Sequence, residues 1–316
     1  AAAGASPAAV AGAMAALRDL LGPGELVTGE EAQARYAVQG VAPKVVVRPS
    51  QSEQVAAVLR ATPGLAVTPW GAGTRQQLGP VPPALDLVLD CSRLRKVLDF
   101  DPASLSISVE AGVGLRDLDA VVAPAGLRFP VEPAVDGGET VGGLIAANAY
   151  GPRRLLHRGP REWLLAARVA LGSGEVIRAG ANTVKSSAAY NLHRVLVGSW
   201  GTLGVITGAT LRLVPRPERT RTYLVAGGDL PALLAVARGI LASPLQPAGV
   251  DLVRGDGWAG AFPDRALVLL IAVEGLEEEM ARYDAQVRGL AAAQGLALEV
   301  AEGTEEAEVW RRRALP

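Results

Sequence analysis

Apolar positions change their spacing several times along the chain, and each change predicts an element. From Ser6 to Leu21 they recur at helical intervals, with Ser6 as a cap and Pro7 at the first helical position. A helix is predicted over 6–21, closed by Gly22-Pro23-Gly24. Val45-Val46-Val47 is a β-branched run and reads as a strand. Ser50, with Glu53 three residues on, predicts a capping box for a helix whose apolar face is Val55, Val58 and Leu59. The strand predicted at 65–69 runs straight into Gly71-Ala72-Gly73.

Short strands follow at 85–90, 97–100 and 105–110, then a helix over 115–125. Residues 164–178 read as a hairpin turning at Gly172-Ser173-Gly174. The apolar run at 211–214 stops at Pro215-Arg216-Pro217, a candidate domain boundary. Beyond it the pattern is strand 223–225, helix 229–242, strands 249–253 and 266–273, helix 275–294 and strand 296–300. Glu277, Glu278 and Glu279 sit near the start of the last helix, where acids suit the dipole. The order β-α-β-β-α-β is that of a ferredoxin-like layer.

Composition narrows the function classes. With 316 residues, 49% hydrophobic and 20% charged, the chain is folded and large enough for two or three subdomains. Its net charge of −1 lacks the basic excess of a nucleic-acid binder. One cysteine, Cys91, excludes an internal disulfide and a Cys-ligated zinc or iron–sulfur centre, and points to a reducing compartment. The two histidines, His157 and His193, form no metal-ligand spacing. No run approaches the ~18 apolar residues of a membrane span, and no signal peptide is legible at the N-terminus. A cytoplasmic protein is expected, membrane-associated only through partners.

Three glycine-rich segments carry candidate chemistry. In the first, a strand enters Pro69-Trp70-Gly71-Ala72-Gly73-Thr74-Arg75. Glycines two apart let successive N–H groups form an anion nest suited to pyrophosphate; the alternative is an ordinary turn. The spacing fits neither the dinucleotide fingerprint of a doubly wound fold nor a P-loop. The second is Thr140-Val141-Gly142-Gly143 through Ala146 to Asn148, small residues at a predicted helix start whose N–H groups would face phosphate. The third, Gly198 to Thr207, places three glycines before an apolar strand. Arg153 and Arg161 are candidate clamps for a substrate carboxylate, or interface residues. Lys185 is a candidate partner for a phosphate or a carboxylate, with a solvated surface lysine the equal alternative, and His157 and His193 read mainly as structural.

Taken in order, these segments resemble the FAD-binding fold shared by vanillyl-alcohol oxidase and p-cresol methylhydroxylase, and within it the smaller FAD subunits of bacterial glycolate oxidases. The resemblance rests on Val46-Val47-Arg48-Pro49-Ser50, the Pro69–Thr74 loop and Thr140 through Asn148. Gly151-Pro152-Arg153-Arg154, Arg161-Glu162, Lys185 through Tyr190 and Gly198 through Thr207 add to it. It covers residues 40–217 well and the remainder by element order.

The resemblance implies an α+β protein: an FAD-binding domain over 1–217, with subdomains of about 1–98 and 99–217, then a ferredoxin-like cap over 218–316. It implies non-covalent FAD, because Thr74 stands where many relatives carry a flavin-linking histidine. The implied cofactor contacts are Pro69, Trp70, Gly71, Ala72, Gly73, Thr74, Arg75, Pro133, Thr140, Val141, Gly142, Gly143, Ala146, Asn148, Gly151, Gly204, Val205 and Ile206. The implied reaction is oxidation of a 2-hydroxy acid such as glycolate, with hydride passing from the α-carbon to flavin N5. The alternative is an electron-relaying FAD subunit working with a larger FAD subunit and an iron–sulfur subunit. The histidine-rich Gly-Asp-Gly-Asn motif of catalytic relatives is absent, and no histidine follows His193. A metal-assisted hydroxyacid site and a catalytic base are therefore not legible.

Overall fold

Val45–Val47 is buried along its whole length, and so is Leu87–Asp90, because both strands lie inside a layer covered on its faces. The computed structural model describes residues 4–27, 29–133, 138–180, 191–227, 229–254 and 267–313. The chain divides into two units. The first comprises Ala1–Phe129, Gly137–Ala149 and Pro160–Val214. The second comprises Pro130–Asp136, Tyr150–Gly159 and Pro215–Pro316, and so takes in two segments that precede residue 217. The stretch Lys185 through Tyr190 lies outside the described residues.

Two larger sheets among the described residues make up most of the first unit. In one, β1 (Leu26–Val27), β2 (Val45–Val47), β3 (Val67–Trp70) and β4 (Leu87–Asp90) run in the order β1-β2-β4-β3. Strands β2 and β3 both pair parallel to β4, which puts Trp70 opposite Asp90. The parallel crossover from β2 to β3 runs through the helix Ser52–Ala61, whose buried face is Val55, Ala56, Val58 and Leu59. The helix Pro7–Leu20 packs Val10 and Leu17 into the same core. Its Ser6 cap is present, accepting from the Ala9 N–H at 3.2 Å.

The expected Ser50 cap is displaced by one residue. The helix begins at Ser52, and the side chain that reaches back is Gln54, accepting from the N–H groups of Ser50 and Gln51 at 2.9 and 3.0 Å. Glu53 pairs with Arg168 across 2.9 Å instead. A capping box depends on register, and register is set by the strand before it.

The second sheet is antiparallel. It comprises β5 (Val97–Asp101), β6 (Ser106–Glu110), β7 (Leu164–Ala170), β8 (Val176–Gly180) and β9 (Val205–Arg212), in the order β5-β6-β9-β7-β8. Ile107, Val109, Val169 and Leu211 face the helices Leu115–Val122 and Val141–Ala147, burying Leu118, Val122 and Ile145.

The second unit contains the expected β-α-β-β-α-β order. Its strands are β10 (Arg219–Ala226), β11 (Gly249–Arg254), β12 (Leu267–Gly275) and β13 (Ala297–Glu302), paired antiparallel as β11-β12-β10-β13. Tyr223, Val225, Leu269 and Ile271 face the helices Leu230–Leu241 and Glu277–Ala293. The alternate residues Leu224, Ala226, Val268 and Leu270 meet Val309 and Trp310. Those two belong to a helix, Thr304–Arg313, that apolar periodicity did not predict. Only its charge order marks it, with Glu305 and Glu306 in the first turn and Arg311 to Arg313 in the last.

Candidate functional site

The loop after β3 is held from several sides and leaves its main chain free. The Trp70 carbonyl accepts from the Cys91 N–H at 2.8 Å, and the Pro69 carbonyl accepts from Gln76 Nε2 at 3.0 Å. Trp70 meets the Tyr36 ring edge-on, with centroids 5.2 Å apart. Between these anchors, the N–H groups of Gly71, Ala72, Gly73, Thr74 and Arg75 donate to no protein acceptor among the described residues. A run of unpaired N–H groups at a cleft is an anion cradle.

The helix Val141–Ala147 differs from its expectation. Thr140 caps it, its Oγ1 accepting from Gly143 N at 3.2 Å. Val141 N donates to the Val113 carbonyl at 2.9 Å, Gly142 N to the Ala111 carbonyl at 2.8 Å, and Leu144 N to the Thr140 carbonyl at 2.9 Å. The first-turn donors are therefore taken up by the fold, and no free row of them faces the cleft. What the helix contributes is a wall without side-chain bulk. A Cβ on Gly142 would come within 2.8 Å of Ala111 Cβ, so only glycine lets the helix sit this close to the end of β6.

The third glycine segment is tied to the other end of this helix. Asn148 turns out of it in the left-handed region (φ 48°). Gly198 N and Trp200 N donate to the Ile145 and Ala146 carbonyls at 3.1 and 2.9 Å. These bonds bring Trp200, Gly201 and Gly204 to the cleft.

The resulting cleft encloses about 830 Å³, open solvent at its mouth included. Of the expected contacts it is lined by Pro69 through Arg75, Thr140, Gly142, Gly143, Ala146, Gly204, Val205 and Ile206. Val141 is fully buried in the core instead, and Asn148 closes the helix without lining the cleft. Pro133 and Gly151 belong to the second unit, where they lie against each other. Sequence reasoning missed Thr68, Gln76, Cys91, Ala111, Ala147, Trp200 and Gly201. Gly201 was legible as part of the third glycine segment. Cys91 and Ala111 reach the cleft only through strand pairing.

Electrostatics is sparse here. Among the lining residues the ionisable side chains are Arg75 and Cys91. Arg75 Nη2 pairs with the buried Glu139 at 2.9 Å, so its charge holds the loop in place. Burial, with the Asp90 carboxylate beside it, pushes the Cys91 thiol up to about 12, so it stays neutral and unreactive.

The candidate clamp Arg153 is fully engaged within the second unit. It is buried and meets Glu274 at 3.0 Å, Glu306 at 2.5 Å and Glu132 at 3.1 Å. Burial alone would lower its pKa, but the charges of Glu132, Glu306 and Glu274 outweigh it and raise the value. His157 Nε2 meets Glu274 at 2.5 Å. This is a buried ionic network and not a substrate clamp. Arg161 is exposed. His193 is buried, and burial, with the nearby Arg194 charge, lowers its pKa. Among the described residues, no group of three or more His, Cys, Asp or Glu side chains is placed to hold a metal ion. None of the described helices is long and apolar enough to cross a membrane.

Comparison with known proteins agrees with this geometry. Residues 43–180 match the FAD binding domain family. The chain is 31% identical to glycolate oxidase subunit GlcD of Bacillus subtilis over 232 residues, which is 73% of this chain and 49% of that protein. It is 30% identical to a D-lactate dehydrogenase of Anaerostipes hadrus, over 74% of this chain and 50% of that one. It is 36% identical to glycolate oxidase subunit GlcE of Escherichia coli, over 43% of this chain and 39% of that one. The chain thus spans about half the length of the first two of these relatives. Among solved structures, alkyldihydroxyacetonephosphate synthase superposes with a TM-score of 0.81 at 16% identity, over 98% of this chain and 63% of that one. The fold is accordingly α+β, of the p-cresol methylhydroxylase type.

Proposed function

Taking as premise that residues 43–180 form an FAD-binding domain, with FAD as its cofactor, we propose that the chain is the flavin-holding part of an oxidoreductase acting on a 2-hydroxy acid such as glycolate. The observation that carries the cofactor assignment is the row of unpaired N–H groups from Gly71 to Arg75, in a loop that lines a cleft walled by Gly142, Gly143 and Ala146. That row suits a pyrophosphate, and the bare wall suits a broad planar ring. FAD, when bound, supplies hydride acceptance; the protein binds and orients it and keeps water away. The Arg75–Glu139 pair and the Thr140 cap hold the loop and helix in register. Binding is non-covalent: Thr74 has no nucleophilic nitrogen, and the Cys91 thiol is neutral.

A second reading has its own support. A hydroxy-acid oxidation needs a group that takes the hydroxyl proton. Among the described residues the cleft offers Arg75, already paired, and Cys91, held neutral. This favours an electron-relaying subunit that works with a larger FAD subunit and an iron–sulfur subunit. The GlcD and GlcE relatives are subunits by name. Any membrane association would then run through those partners.

The visible absorption spectrum of the purified chain, before and after anaerobic glycolate, tests both. Flavin bands that bleach support the first reading. Bands that persist with glycolate and D-lactate support the second. Absence of flavin bands after added FAD overturns both.

A further inference from the structure

The loop that cradles the dinucleotide has a second polar side. A separate cleft of about 850 Å³, solvent at its mouth included, shares residues 70–73 with the first and is also lined by Arg35, Tyr36, Arg48, Asp90 and Ser92. On its floor Asp90 is 3% exposed and accepts from the Tyr36 hydroxyl at 2.7 Å, Arg48 Nε at 3.1 Å and Ser92 N at 2.8 Å. Both of its oxygens thus accept from donors, which come from three separate segments. Arg48 uses only Nε for this bond, and its two terminal nitrogens meet no carboxylate among the described residues. Arg35 is exposed and has no ion-pair partner there. Two guanidinium groups stand against one carboxylate, leaving an uncompensated positive charge in the cleft.

Burial, with the hydrogen bond and charge of Asp90, pushes the Tyr36 hydroxyl up to about 12. It remains a neutral donor and adds no negative charge. The Ser92 hydroxyl makes no protein hydrogen bond among the described residues and is available as a donor. A planar fork from Arg48, an exposed second guanidinium and a hydroxyl match the oxygens of a phosphate group.

We propose that this cleft is a second anion site, which takes the phosphate of a small phosphorylated ligand while FAD occupies the first cleft. It rests on the cofactor reading only in assigning the first cleft to FAD.

The test uses the FAD-saturated chain, with inorganic phosphate titrated by calorimetry at constant ionic strength and the flavin absorbance followed in parallel. Saturable binding of one phosphate with flavin retained is the expected result. Arg35→Gln and Arg48→Lys should each weaken it about tenfold, the loss of one charge-assisted contact. Arg35 has no structural partner, so its variant stays folded even if Arg48→Lys does not. No saturable heat, or unchanged affinity in Arg35→Gln, overturns the proposal. Release of flavin by phosphate also overturns it, since the cleft would then belong to the dinucleotide. Flavin absorbance before the titration tests the cofactor reading by itself, so the two fail separately.

Discussion

Gly71 lies directly against Thr140: a Cβ built on Gly71 would sit 2.4 Å from the Thr140 hydroxyl oxygen. The same oxygen caps the helix Val141–Ala147 through Gly143 N. One contact therefore links the anion loop to the bare helix wall. Gly71→Ala should force the two apart, destabilising the chain by about 1–3 kcal/mol. FAD binding should weaken by about tenfold or more. Flavin fluorescence titration and thermal unfolding together check this; wild-type affinity in the variant would show that the contact is unimportant.

Thr140→Ala removes the cap without adding bulk. It is expected to destabilise by about 1 kcal/mol, with Thr140→Ser close to wild type. Urea unfolding of the two variants side by side measures the difference.

Arg75→Gln should weaken FAD retention by releasing the loop, and should destabilise by about 1–3 kcal/mol through loss of its ion pair with the buried Glu139. The double variant with Glu139→Gln is expected to recover part of that stability, since the pair's two charges are then removed together. A double-mutant cycle of unfolding free energies decides it. Simple additivity would mean the pair is not coupled.

Alkaline pH should destabilise the first unit. The Cys91 thiol and the Tyr36 hydroxyl both rise to about 12, from ordinary values of 9.0 and 10.0. In each case the fold favours the neutral form. Their contribution is complete below the ordinary values and is lost as pH climbs through about 12. Melting temperatures from about pH 8 to about pH 11 should fall, and Cys91→Ala and Tyr36→Phe should each flatten the fall. The native thiol should also resist alkylating reagents at neutral pH.

Arg153→Met removes the counter-charge shared by Glu274 and Glu306. The loss should be about 3–5 kcal/mol near neutral pH. Denaturant unfolding of the variant beside the wild type measures it.

Much of the architecture was legible because apolar spacing is a local property. The helix Pro7–Leu20, the strand Val45–Val47 and the β-α-β-β-α-β order of the second unit follow from short-range periodicity and caps. Thr304–Arg313 was not legible, because its apolar residues are few and most of the others are charged. Most of the first cleft was legible from its glycines, which mark close main-chain approach wherever they cluster. The second cleft was not, since Arg35, Arg48 and Ser92 share no motif.

By itself the sequence determined the element order, the family of fold and the loops that can approach a ligand, because glycine spacing and side-chain period act over a few residues. Only the tertiary structure decided which main-chain donors remain free. The helix starting at Val141 looked like a second phosphate-facing segment beside the loop, yet Val113, Ala111 and Thr140 take up its first donors. The loop from Gly71 to Arg75 keeps its own. Arg153 read as a substrate clamp or an interface residue, yet Glu132 and the far more distant Glu274 and Glu306 surround it. A hydrogen bond or ion pair is settled by which partner arrives in space. Partners separated by a hundred residues leave no local trace of that choice.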